Sequence, residues 1–312
     1  WNRVLRADEI AYLAEGNAIS LPDPAKTLKD GLQASWGFEG DFSSSTFGFD
    51  GEPVNGAMIS DDAKVGNGSV SFTQADKQYV DVQNQVIENG ALAYSSAGWF
   101  KVTGGEGRRF LWETSPSNWA VSTEVTPAGN VKAFTKLADG SSHSADSGMV
   151  PGIGEWHHFA VTFDGVSGQS AIYYDGEKVD VSFTTPAGVG TADTGGFHIG
   201  SFRGGNGRFF EGLIDEVGIW NRVLRADEIA YLAEGNAIPE PEQEVAPVVI
   251  TRVQISEGNV KIEWEGGDSP FQVQSRTSLN EGAWENVSDP INEPIYEERI
   301  DAGMKFFQIV QP

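Results

Sequence analysis

Residues 155–176 read Glu155-Trp156-His157-His158-Phe159-Ala160-Val161-Thr162-Phe163-Asp164-Gly165-Val166-Ser167-Gly168-Gln169-Ser170-Ala171-Ile172-Tyr173-Tyr174-Asp175-Gly176. Phe159 to Phe163 and Ala171 to Tyr174 are short runs rich in aromatic and β-branched residues, which suits strands rather than helix. Each run ends in Asp-Gly, the dipeptide favoured in primed hairpin turns, where both central residues need positive φ. The same pattern extends outward to Ser69–Phe72, Tyr79–Val82, Gly98–Val102 and Phe197–Gly200. Short strands punctuated by turns predict an all-β domain, two antiparallel sheets joined in jelly-roll fashion.

Trp1 to Ile19 (WNRVLRADEIAYLAEGNAI) recurs without a change as Trp220 to Ile238. The offset matches a whole β-sandwich domain, so residues 1–19 read as the tail of a preceding repeat and the parent protein as a tandem array. In each copy, Ala7 to Glu15 and Ala226 to Glu234, apolar residues at helical spacing follow an acidic start and precede a glycine, predicting a short amphipathic helix. Ser20–Lys26 and Pro239–Pro247 are rich in Pro and charge and read as stiff, extended linkers. The expected order is therefore a tail at 1–19, a linker at 20–31, the jelly-roll domain at 32–238, a linker at 239–247 and a small β-sandwich at 248–312. That last module is expected from period-two runs at Val249–Ile255, Val260–Trp264, Phe271–Ser275 and Phe306–Val310.

The chain has 312 residues, 21 Lys+Arg against 45 Asp+Glu, and a net charge of −24. That balance argues against nucleic acid and anionic membrane surfaces, which need a basic footprint. It suits solubility in a saline medium or the collection of divalent cations. There is no Cys, so neither a disulfide framework nor a thiolate metal site exists. No run of 18 apolar residues is present, and a spanning or targeting segment is not expected.

Five stretches carry a family resemblance. Trp36-Gly37-Phe38-Glu39, Val65–Phe72 with Tyr79–Val82, Glu155–Asp164, Tyr173-Tyr174-Asp175-Gly176 and Phe210–Arg222 resemble, in order, the laminin G-like (concanavalin A-like) jelly-roll family, shared with pentraxin-like domains. The resemblance spans roughly Leu32 to Gly235. It implies an extracellular or cell-surface module that binds glycans or surface proteins, often with calcium, and that has no catalytic activity. The C-terminal runs resemble short fibronectin III-like spacers of secreted bacterial proteins.

Catalysis has one nearby candidate, Glu211, Asp215 and Glu216. A glycosidase needs two carboxylates facing one cleft, and regular strand alternation puts Glu211 and Asp215 on one face but Glu216 on the other. No G-x-S-x-G elbow occurs. His157 and His158, adjacent on a strand, point to opposite faces and cannot share an ion. Calcium is the sharper expectation, since hard cations take carboxylate and carbonyl oxygens. Glu39 and Asp215 are the foremost ligands, with Asp41, Asp50, Asp61 and Asp62 as further candidates. For ligand recognition, two rim stretches qualify: WETSPSNW with Trp112, Asn118 and Trp119, and FRGGNGRF with Arg203, Asn206 and Arg208. Trp112 and Trp119 suit core packing as well as contact.

The expected function is a non-catalytic adhesive or structural segment of a tandem-repeat bacterial surface protein, with self-association between neighbouring repeats as a further expectation. The alternative is a carbohydrate-binding module of a secreted polysaccharide-degrading enzyme.

Overall fold

In the computed structural model, which describes residues 22–46, 48–114, 120–240, 247–267, 269–278, 282–300 and 304–311, period-two alternation builds antiparallel sheets throughout. One unit ends at Pro241 and a second begins at Glu242. The first contains β1 (Leu32–Trp36), β2 (Glu52–Val54), β3 (Met58–Ser60), β4 (Ser69–Phe72), β5 (Tyr79–Val82), β6 (Ala93–Val102), β7 (Arg109–Thr114) and β8 (Val121–Val125). It continues with β9 (Val131–Lys136), β10 (Ser142–Asp146), β11 (Trp156–Asp164), β12 (Ala171–Tyr174), β13 (Glu177–Lys178), β14 (Phe197–Ile199) and β15 (Gly212–Trp220). One sheet is ordered β13-β12-β11-β6-β15-β4-β3, with β1 also paired to β15; the other is β10-β9-β8-β7-β14-β5-β2. This is the two-sheet jelly-roll sandwich that the sequence predicts.

Inward residues of both sheets fill the core. Trp36 of β1 stacks on Phe197 of β14 across the sandwich, ring centroids 5.3 Å apart, and Tyr94 stacks on Phe163 at 5.2 Å. Such pairs add about 0.5–1.5 kcal/mol each beyond burial. The buried Tyr94 hydroxyl is satisfied by Thr135 at 2.6 Å.

A second apolar cluster lies on the outer face of the first sheet, where Ala97, Ala160, Tyr173 and Trp220 meet Ile229 and Leu232. Two helices hold it. α1 (Pro24–Thr27) has Asp23 as N-cap, its carboxylate accepting from the amide of Ala25, and Pro24 in the first turn. α2 (Ala226–Ala233) begins with Asp227 and Glu228, is followed by Gly235 at φ 90°, and turns Ile229 and Leu232 inward. The buried Glu228 carboxylate accepts from Arg222 (2.8 Å), the Arg225 amide (2.8 Å) and the Thr27 hydroxyl (2.7 Å), tying α1 to α2.

This corrects the reading of Ser20–Lys26 as an extended linker. Capping by Asp23 and insertion of the fully buried Leu28 make residues from 23 onward part of the domain. The repeat copy at 1–19 lies outside the described residues.

The two Asp-Gly signals part ways. Asp175 and Gly176, at φ 49° and 85°, form the predicted two-residue turn between β12 and β13. Asp164-Gly165 does not: β11 and β12 are joined by a longer loop in which Asp164 accepts from the amides of Val166 and Ser167 and Gly168 takes the positive φ.

The second unit comprises β16 (Val249–Ser256), β17 (Asn259–Glu265), β18 (Gln272–Arg276), β19 (Glu285–Asn286), β20 (Ile295–Arg299) and β21 (Phe306–Val310). They form two three-stranded sheets, β16-β17-β20 and β19-β18-β21, around Val260, Ile262, Trp264, Phe271 and Val273.

Candidate functional site

The connection from β14 to β15, Gly200–Phe210, is held in backbone conformations that most residues avoid. Gly200, Gly204, Gly205 and Gly207 have positive φ, and so do Arg203 (49°) and Arg208 (54°). Non-glycine residues there are uncommon and persist when the surroundings determine them. Here the Asn206 amide donates to the Phe202 carbonyl (2.8 Å) and the Phe202 amide to the Gly207 carbonyl (3.1 Å). Phe202 turns inward against Phe110, centroids 4.9 Å apart. Above Phe202 lie two guanidinium groups, Arg208 at 4.0 Å and Arg203 at 4.9 Å from the ring centre.

Beneath this loop a row of polar residues crosses the outer face of the second sheet. Asp81 of β5, His198 of β14, Glu113 of β7 and Ser122 of β8 are successive cross-strand partners. His198 Nε2 lies 3.1 Å from Asp81 Oδ1, and its Nδ1 is buried without a hydrogen-bond partner among the described residues. Glu113 is fully buried. One of its oxygens accepts the Arg203 amide; the other, Oε2, has no partner among the described residues.

Burial pushes the Glu113 carboxyl up to about 8, against the pull of the Arg203 amide and the Arg203 and Arg208 charges. Glu124, on β8 nearby, is also raised by burial and is answered by Arg108 at 3.3 Å. At neutral pH Glu113 therefore keeps its proton. It can donate a hydrogen bond as well as accept one.

Arg203, Asn206 and Arg208, predicted from the glycine-rich stretch, are thus brought together at one rim. Trp112 is not with them, which corrects that expectation: its ring is fully buried and its Nε1 donates to Ser96 at 3.2 Å. Gly98 makes the room, since a Cβ there would sit 3.1 Å from the Trp112 ring. Asn118 and Trp119 lie outside the described residues. Nothing local in the sequence marks Glu113, Glu124 or His198 as neighbours of this loop; strand register brings them there.

Of the predicted metal ligands, Asp215 and Glu39 lie near enough to one another for the charge of Glu39 to act on Asp215. A β-bulge between Asp215 and Gly218, with Glu216 at φ 48°, breaks the alternation of β15. Glu216 therefore does not follow the expected strand face; it reaches the amide of Ile238 at 2.8 Å. Asp215 accepts the amides of Lys64 (2.8 Å) and Val65 (3.0 Å) through Oδ2, while its buried Oδ1 has no partner among the described residues. Glu39 accepts the amide of Asn67 at 2.8 Å. Burial raises Asp215 to about 6 and Glu216 to about 7, and the Glu39 charge adds to both.

Beside them, Gly37, Glu39, Asp41, Glu216 and Ile238 line a cleft of about 600 Å³. Asp62 is taken by Lys101 at 2.6 Å, Asp50 by the Ser44 amide and Asp41 by Ser43; Asp61 is exposed and stands apart from these contacts. Among the described residues, no three His, Asp or Glu side chains converge as a ready-made metal group. Glu211 does not face an open cleft with Asp215; it accepts the Gln74 amide at 2.6 Å.

The sequence signature of the Laminin_G_3 family, described as the concanavalin A-like lectin/glucanases superfamily, matches residues 74–230. No curated protein sequence matches the chain. Among solved structures, domain 4 of AbnA, a GH43 extracellular arabinanase from Geobacillus stearothermophilus solved with arabinotriose, is similar at 20% identity and TM-score 0.53, with 65% of this chain and 98% of that one covered. The binding domain of Paraclostridial Mosquitocidal Protein 1 is similar at 14% identity and TM-score 0.52, covering 83% and 64%. The binding domain of botulinum neurotoxin serotype D is similar at 11% identity and TM-score 0.51, covering 85% and 70%. At these identities the likeness concerns the fold. Among the described residues no helix is long and apolar enough to cross a membrane.

Proposed function

The chain belongs to the concanavalin A-like lectin/glucanases superfamily, and from that premise we propose that its first unit is a non-catalytic glycan-binding module whose contact surface is the Phe202–Phe209 rim. The observation that carries this reading is the arrangement there: exposed Arg208 and Asn206 on a glycine-rich backbone held in positive-φ conformations. Sugar recognition uses such fixed polar groups on a rigid scaffold. The two carboxylates nearest the rim support binding over hydrolysis, since Glu113 is covered by the loop and Glu124 is engaged by Arg108. A pair of hydrolytic carboxylates must reach the scissile bond.

In our reading the parent protein is extracellular or on the cell surface and built from repeats, the identity of Trp1–Ile19 with Trp220–Ile238 being the support. Its role is adhesive or structural, and neighbouring repeats are candidates for self-association. A carbohydrate-binding module of a polysaccharide-degrading enzyme would share the same binding event and differ in the domains joined to it. A glycan array probed with the whole chain tests the common element: reproducible binding to a glycan class is expected, and silence across the array would overturn it.

Calcium enters the same reading as a structural ion. The buried, unpartnered Asp215 Oδ1 fits a hard cation, which takes carboxylate together with backbone carbonyl oxygens. Glu39 and Asp215 would hold it, relieving the crowding of negative charge with Glu216. After chelation, calcium should raise the melting temperature by several degrees, and Asp215→Asn should abolish the rise. No rise in the unaltered chain would exclude the ion.

A further inference from the structure

We propose that the rim formed by Arg108, Arg203 and Arg208 recognises the anionic groups of an acidic polysaccharide, carboxylated or sulfated. The proposal rests on the glycan-binding reading above and narrows its ligand class.

The chain carries more than twice as many acidic as basic side chains, yet three guanidinium groups crowd this one rim. Arg208 feels both others: burial first, then the Arg108 charge, with a smaller share from Arg203, makes its cation harder to hold. Like charges gathered in this way are offset by nearby anions. The two acids closest to Arg208 offset it only in part. Glu124 is engaged by Arg108 at 3.3 Å. Glu113, buried beneath the loop, is held in its neutral form and supplies no full charge at neutral pH. Among the described residues no carboxylate lies within ion-pair distance of Arg208, and its exposed guanidinium faces solvent, where the anion of a ligand can meet it.

The geometry suits an oxyanion. Phe202 lies under both Arg203 and Arg208, and Phe110 lies under Arg208 at 5.6 Å, so the guanidinium groups rest on aromatic rings. A guanidinium supported in this way presents a planar fork of N–H donors, which matches carboxylate or sulfate oxygens in pairs. Gly204 and Gly207 let a polymer approach the backbone closely.

The charge of the whole chain opposes a polyanion at long range. At about 0.15 M salt, however, the screening length is ~8 Å, so distant carboxylates are muted while contact pairs persist. The test is binding of the whole chain, at that salt, to polygalacturonate and alginate, to a sulfated galactan, and to neutral arabinan and β-glucan. Retention by an acidic polymer over the neutral ones is expected, and the arm that binds distinguishes carboxylate from sulfate. Arg208→Ala should weaken binding at least about tenfold, with Arg208→Lys intermediate and Arg252→Ala, in the second unit, without effect. Binding to neutral polymers alone would overturn the acidic ligand class and leave the glycan reading standing; binding to none would overturn both. Acidic binding that survives Arg108→Ala with Arg208→Ala would overturn the site.

Discussion

Replacing Glu113 by glutamine should change how the stability of the first unit depends on pH. Glu113 is fully buried, and its carboxyl sits at about 8 against an ordinary 4.5, with burial as the chief cause. Facing it are His198 from β14, the Arg203 and Arg208 charges from the loop, and Glu124 from β8 with Arg108 behind. Because the folded value is the higher, the unfolded chain gives up this proton near pH 4.5 while the folded chain keeps it to about pH 8. Between those limits the native state holds one proton more, and stability falls as pH rises, by at most ~1.4 kcal/mol per unit. The whole interval sets a ceiling of about 5 kcal/mol; water admitted by a yielding loop reduces it, and ~2–3 kcal/mol between pH 5 and 8 is the expected loss. In Glu113→Gln the new amide retains an acceptor for the Arg203 amide and does not titrate. Denaturant unfolding of both proteins, followed by tryptophan fluorescence at constant ionic strength, isolates the effect. Subtracting one curve from the other removes the separate contributions of His198, Glu124 and net charge. A difference that stays flat from pH 5 to 8 would refute a buried, proton-holding Glu113.

Two further substitutions probe the framework. Glu228→Ala should cost about 3–5 kcal/mol in denaturant unfolding, because it strips the buried partner from Arg222. The folded Glu228 carboxyl lies below its ordinary value despite its burial, through Arg222, the Arg225 amide and Thr27. Its contribution is therefore present above pH ~4.5, the unfolded value, and fades as pH falls through the folded one, so Glu228→Gln should flatten the acid limb of the unfolding curve. Gly212→Ala should lower the melting temperature far more than Gly107→Ala. Gly212 has φ 146°, and a Cβ there would meet the Lys101 carbonyl at 2.0 Å; at Gly107, φ 70°, it would meet nothing within 4 Å. The expected costs are above ~3 kcal/mol and about 1 kcal/mol, and equal melting temperatures would refute the clash.

What the sequence made legible was what local chemistry decides. Asp175-Gly176 specifies a turn because two adjacent residues must take positive φ, and no distant partner is needed to recognise it. The strands β7 to β10 of the second sheet carry no such local mark of a strand, for the opposite reason. In SHSAD and VKAFTK the alternation is blurred by small polar residues, and Thr135 faces the core, made acceptable there by Tyr94 across the sandwich. The helix of Ala226–Ala233 was readable from Ile229 and Leu232, whereas α1 was hidden in a Pro-rich run that reads equally well as linker.

The same division explains the site. Arg203 and Arg208 announce themselves among glycines, so the loop was visible, but Glu113 and Glu124 read as ordinary charged residues of strands. Their burial depends on the register that sets His198 against Glu113, a pairing 85 positions apart in the chain. Trp112 failed as a contact because its environment is set by the missing side chain of Gly98 on a strand of the opposite sheet. Glu216 escaped the alternation rule because one residue of positive φ shifts every later side chain of β15 by one place. Residues whose roles are fixed by neighbours in sequence can be found by reading. Those assembled across strands, which here include the buried carboxyls that tune the charge of the rim, emerge only when the sheets are in place.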